Sequence, residues 1–204
     1  MVVAGGAPGG GKRARLDPAA RRAQLVDVAF RLLDDRGAAT LSVDDVADAA
    51  GVSRSLVYAY FGDRDSLVAE VYLRVLERLD EALAPHRYGD MQRDEATMVE
   101  VVTGCMRFAR EQPAAWRLLV TDAVRGHPTI VAARASRIDE LAGARGDGDD
   151  QHLVADALLG LVEAGVLHWL ERASSSGSTA EEPHPAAVLL SRVVWSGLAG
   201  MTAL

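Results

Sequence analysis

The chain has 204 residues, 49% hydrophobic and 25% charged, with a formal net charge of −7. This balance excludes an intrinsically disordered chain, and the length admits one small domain plus a larger one with a sizeable core. A single cysteine, Cys105, excludes an internal disulfide; with no apolar signal core at the N-terminus and no run expected to span a membrane, it points to a cytoplasmic protein.

Residues 1–16 are Gly-rich and then basic, without any period, and are expected to form a flexible arm. Gly6 to Lys12 satisfies the G-x-x-x-x-G-K part of a phosphate loop, but Arg13 stands where Ser or Thr must hold magnesium. Only five residues precede Gly6, too few for the strand that fixes such a loop, so the basic tail is the better reading. Its Lys12, Arg13 and Arg15 can reach a minor groove.

Residues 17–62 are expected to form a three-helix head. Asp17-Pro18 is a helix start, Leu25, Val28, Ala29, Leu32 and Leu33 form one apolar face, and Gly37 is the expected stop. Ser42 can N-cap a second helix with Asp45 in the capping-box position; Val43, Val46, Ala47 and Ala50 are its apolar positions. Gly51 supplies a left-handed residue, Ser53 can cap a third helix, and Val52, Leu56, Val57 and Phe61 resume the apolar pattern. Two short helices joined by a Gly-containing turn form a helix-turn-helix, whose second helix enters the DNA major groove. Spacing alone leaves an ordinary αα-hairpin as the alternative.

From Leu25 to Leu67 the chain resembles the DNA-binding domain of TetR-family transcriptional regulators. Gly37, Ala47, Ala50, Gly51, Val52, Ser53, Tyr58 and Phe61 fall in the family's register, with Arg64 where Lys is common. The resemblance implies that Ser42, Tyr58, Tyr60 and Arg64 hold phosphates and that Ser53, Arg54 and Ser55 sit at the start of the recognition helix. Of these, Arg54 is the candidate for a guanine contact. Two departures stand out. Leu56 replaces a Thr that often donates to a phosphate, and Asp44, Asp45 and Asp48 would repel phosphates if they faced them.

Residues 63–204 are expected to form a larger helical body. Asp63 caps a helix running to about Leu83, with Leu67, Val71, Val75 and Leu79 every four residues and Pro85 beyond its end. Further helices are expected from Glu95 to Glu111, from Pro113, from Pro128, from His152 to Arg172 and from Pro185 to the C-terminus. The chain therefore reads as all-α, with about nine helices. The last two are apolar on more than one face, and Gly160, Gly165, Gly197 and Gly200 allow close approach. Such helices must bury two sides, which a two-fold dimer through a four-helix bundle achieves. Leu158, Leu161, Val162, Gly165, Trp169, Leu189, Val193, Trp195 and Leu198 are the interface candidates, and the family resemblance implies the same. The alternative is a larger monomer core.

An effector pocket among the body helices is also implied by the resemblance, and Cys105, Met106, Phe108, Trp116, His127, His168 and Trp169 are candidates to line it. Met and aromatic residues at helical spacing are more often plain core. His152 and Asp156 stand four apart, but two exposed residues do not make a metal site. No G-x-S-x-G, S-x-x-K, H-E-x-x-H or cysteine cluster recommends catalysis, and no cofactor is expected. Residues 1–62 hold 8 Lys/Arg against 7 Asp/Glu, net +1; the rest hold 14 against 22, net −8. The sequence thus reads as a homodimeric regulator, a repressor released from a palindromic double-stranded operator by a small, largely apolar effector. The rival is a helical small-molecule-binding or interaction protein with a degenerate DNA-binding head.

Overall fold

A computed structural model describes residues 17–121, 125–143, 149–175 and 183–201. The Gly6–Lys12 segment and the basic arm lie outside the described residues. Among the described residues nine α-helices follow in order: α1 (Pro18–Thr40), α2 (Val43–Ala50), α3 (Arg54–Phe61), α4 (Arg64–Leu83), α5 (Glu95–Glu111), α6 (Pro113–Val120), α7 (Pro128–Gly143), α8 (Asp149–Ser175) and α9 (Pro183–Met201). No strand occurs among them.

The helix starts carry the side chains that satisfy their orphan N–H groups. Asp17 accepts from the backbone of Ala19 and Ala20, Ser42 from Asp45, Ser53 from Leu56, Asp63 from Ser66 and Asp94 from Thr97. The Ser66 N–H holds the Asp63 carboxyl below its ordinary range, and the Thr97 N–H does the same for Asp94. Gly37 does break α1, at φ 69°, but one further turn carries the helix to Thr40. A 3₁₀ turn over Tyr88–Gln92, which the sequence pattern did not announce, lies between α4 and α5. Helix α8 begins before His152, at Asp149, and α9 before Pro185, at Pro183.

One continuous core runs through both parts. Helix α1 packs on α2, α4 and α6, and α4 packs on α1, α3, α5, α6 and α7. Leu67, Val68 and Val71 on the first half of α4 are buried, and so are Val75, Leu79 and Leu83 on the second. The head therefore rests on the body through a shared helix rather than a linker.

Helix α8 corrects one expectation. Asp150–Ser174 is long and apolar enough to cross a membrane, with mean hydropathy 1.6. The reason lies in its double duty. Ala155, Leu158, Leu159, Val162 and Val166 are buried in the body, while Leu153 and Leu161 face outward. It passes the same length and hydropathy test as a spanning helix while forming a wall of this core.

The α2–α3 turn supplies a stability test. Gly51 sits at φ 64°, and a Cβ there would meet nothing within 4 Å. Gly51→Ala is therefore expected to cost about 1 kcal/mol from backbone strain alone, read as a lower denaturation midpoint with an unchanged slope.

Candidate DNA interface and body cavities

The α2–α3 unit is built from two short amphipathic helices. Val43, Val46, Ala47, Val57 and Phe61 are buried, which leaves the opposite face of α3 outside. That face begins at the N-cap Ser53, whose hydroxyl also lies 3.0 Å from that of Ser55. Arg54 and Ser55 in the first turn are exposed, and Tyr58 one turn on is 50% exposed. Tyr60 is half-buried, its ring 6.4 Å from that of Phe61. Ser42 at the start of α2 donates to the Asp45 carboxylate at 2.6 Å and accepts the Asp45 N–H at 3.1 Å. Asp48 is exposed. The two capped helix starts and the Arg54, Ser55 and Tyr58 side chains form a ridge of donors of the kind that meets phosphates and base edges.

The head's other cations are largely engaged inside the fold. Arg64 donates to the carbonyls of Leu41 at 2.8 Å and Ala39 at 3.0 Å and pairs with Asp65 at 3.2 Å. It fastens the α1–α2 corner to α4, and 37% of its side chain is still exposed. Arg22 donates to the Tyr60 carbonyl, pairs with Glu70 at 2.9 Å and stacks 4.7 Å over the Phe61 ring. Arg54 pairs with Asp44 across the α2–α3 junction.

The effector candidates do not form one site. Met106, His168 and Trp169 border a groove of about 500 Å³ between α8 and α9, together with Gly165, Leu189 and Val193. Trp116 instead lines a small crevice of about 10 Å³ bounded by α4, α6, α7 and α8. Cys105 and Phe108 are buried in the core and line neither the groove nor the crevice. His127 stands in the turn before α7, with Nδ1 accepting the Thr129 N–H at 3.3 Å and Nε2 3.4 Å from the Ser66 hydroxyl, also outside both.

A charge cluster that the sequence pattern did not announce borders this crevice. Arg134 donates to Glu163 at 2.7 Å, and Arg125 approaches the same carboxylate at 3.7 Å. Arg137 donates to Asp80 of α4 at 2.7 Å. Burial pushes the Glu163 carboxyl above its ordinary range, with Arg134 opposing the shift, and burial likewise raises the Tyr72 phenol. The Trp116 indole N–H is buried and has no partner among the described residues. The available signal was charge on an inward stripe. Ile130, Arg134, Arg137 and Leu141 recur at helical spacing, as do Leu159, Glu163 and Val166.

Of the dimer candidates, Leu158, Val162 and Trp169 belong to the chain's own core. Leu161 on α8 and Leu189 and Val193 on α9 are 42%, 68% and 59% exposed. Gly165 allows the two helices to close, since a Cβ there would stand 2.7 Å from Leu190 Cδ2. Trp195 is half-buried, and the Leu198 side chain lies outside the described residues. His152 pairs with Asp139 at 3.2 Å. No group of three metal-ligating side chains occurs among the described residues.

The profile described as "Bacterial regulatory proteins, tetR family" matches residues 25–71. An HTH-type transcriptional regulator BetI from Brucella anthropi is 34% identical over 152 residues, covering 63% of this chain and 78% of that one. Its namesake from Rhizobium meliloti is 28% identical over 151 residues, covering 70% and 74%. A TetR-like transcriptional regulator from Rhodococcus sp. RHA1 superposes with a TM-score of 0.59 at 28% identity, over 91% of this chain and 100% of that structure.

Asp44 gives the interface a test. It places a carboxylate beside the ridge and engages the cation expected to meet DNA. Asp44→Ala is therefore expected to tighten binding to non-specific duplex DNA about three- to tenfold at low salt, read by fluorescence anisotropy.

Proposed function

The chain belongs to the TetR family of bacterial transcriptional regulators, and we propose that it acts as a homodimeric repressor whose operator binding is relieved by a small molecule held in the body. The observation that carries this reading is the exposed start of α3. Ser53, Arg54, Ser55 and Tyr58 face solvent from a helix whose other side is locked into the core. Arg54 reads a guanine edge, while Ser42, Ser53, Tyr58 and the capped helix N-termini hold phosphates. Tyr60, half-buried, buttresses Phe61 and touches the backbone at most by its hydroxyl.

The second copy docks on the α8–α9 face. Leu189 and Val193 are exposed on the lining of the 500 Å³ groove and Leu161 is exposed on α8, and covering them removes apolar surface from water. A two-fold axis there presents two α3 helices to successive major grooves, about 34–36 Å apart on a palindromic site. The effector site then lies deeper, among α4, α6, α7 and α8. The reading makes the protein a cytoplasmic, non-enzymatic DNA-binding regulator.

Two measurements test it. Arg54→Ala combined with Tyr58→Ala is expected to abolish retardation of the chain's own upstream DNA while leaving the melting temperature within a few degrees; unchanged retardation would favour a head that no longer reads DNA. Leu189→Arg with Val193→Glu is expected to convert a dimer to a monomer in sedimentation, and to weaken operator binding at least a hundredfold. A double variant that still sediments as a dimer would move the interface elsewhere.

A further inference from the structure

The ion pair between Arg54 and Asp44 joins the starts of the two motif helices. Arg54 stands in the first turn of α3 and Asp44 in the first turn of α2, ten positions earlier. Their side chains are 67% and 42% exposed, and so wet a pair adds little to stability. The helices it bridges are already fastened beneath it by the buried Val43, Val46, Ala47, Val57 and Phe61. What the pair does fix is the direction of a guanidinium on the face that meets DNA. Asp45, the next carboxylate, is turned instead to the Ser42 hydroxyl at 2.6 Å. Ser55 is steadied in the same turn of α3, its hydroxyl 3.0 Å from that of Ser53. Side chains on the first turn of α3 are thus oriented before any DNA arrives.

We infer that Asp44 is a positioning residue that sets specificity: it aims the Arg54 guanidinium at a guanine edge and withholds it from phosphates. The inference rests on the DNA-reading role of α3 given above and adds a residue of α2 to the readout. Arg54 reaches Asp44 through Nη2. A guanidinium carries five donors in one plane, so a carboxylate on one side leaves N–H groups for the O6 and N7 of guanine. Aimed in advance, the long side chain has less freedom to lose when it meets the base. The pair is also neutral as a unit. Off target it draws phosphates weakly, and the Asp44 carboxylate repels them. Tighter reading of guanine and weaker holding of other sequences act in the same direction, toward a larger ratio between the two.

The test uses the full chain on its operator, located by footprinting its own upstream DNA, and on copies with each G·C pair replaced in turn by A·T. Fluorescence anisotropy over a salt series gives the penalty for every replacement. The wild type is expected to lose about 10- to 100-fold at one G·C pair per half-site, and Arg54→Ala to erase that penalty alone. Asp44→Asn is expected to shrink it to about threefold, to leave the other penalties unchanged and to steepen the salt dependence by about one counterion. Asp44→Ala is expected to do the same, so the result does not hang on the folding of one variant. With Arg54→Ala already in place, Asp44→Asn is expected to alter no base preference. Equal tightening on every duplex by Asp44→Asn, with the guanine penalty intact, would overturn the inference and leave Asp44 a repelling charge only. Operator binding with no guanine penalty, or with one that Arg54→Ala leaves in place, would overturn it while sparing the regulator reading. A wild-type protein that prefers no site in its upstream DNA would count against both.

Discussion

Helix α4 is the constraint on which the rest depends. It starts at Asp63, where the recognition helix has just ended, and its first half completes the head's core through Leu67, Val68 and Val71. Its second half walls the body through Val75, Leu79 and Leu83. A helix buried at both ends cannot tilt at one without moving the other, because close-packed cores shift between discrete arrangements rather than deforming smoothly. Ion pairs fix it to each side. Arg22–Glu70 and Arg74–Asp27 tie it to α1, and Arg137–Asp80 ties it to α7. Direct packing of α1 on α6 closes the loop. The head and body are thus coupled by contact rather than by a tether.

That arrangement also explains how a chain of net charge −7 serves a DNA-binding role. The head's cations are few, and several are engaged in internal geometry, with Arg64 gripping backbone carbonyls and Arg22 holding Tyr60, Phe61 and Glu70. Among the described residues, what faces outward from the helix-turn-helix is mainly directional: N–H groups at the starts of α2 and α3, hydroxyls at Ser42, Ser53 and Ser55, the Tyr58 phenol, and Arg54. Oriented donors at helix N-termini attract phosphate without formal charge. Net charge was therefore a poor guide, and local geometry a good one.

The same contrast separates what was legible in the sequence from what was not. The helix-turn-helix was legible because its determinants are local: Ser42, Gly51 and Ser53 each act within three residues of their own position. The α8–α9 face was half legible. Two-sided apolarity announced that something must cover these helices, but periodicity could not say which side belonged to the chain's own core. Leu158, Val162 and Trp169 consequently turned inward while Leu161, Leu189 and Val193 stayed out. The cavity was the least legible part. Cys105 and Phe108 fill space in the core, while Met106, His168 and Trp169 border the α8–α9 groove and Trp116 lines the crevice. The cluster that matters joins Arg134 to Glu163, 29 positions apart, and Arg137 to Asp80, 57 apart. No local pattern encodes such a pairing. Only the intrusion of charge into an apolar stripe hints at it.

The energy needed to use this machinery is modest. Changing operator affinity by five- to about 150-fold needs a coupling of about 1–3 kcal/mol. A part-buried link such as Arg137–Asp80, together with repacking a few side chains along α4, is of that order. Burial raises the Glu163 carboxyl above its ordinary range, while Arg134 and Arg125 oppose the shift. A purely apolar seam between α4 and α7 would hold the helix as firmly, but no change of charge could release it.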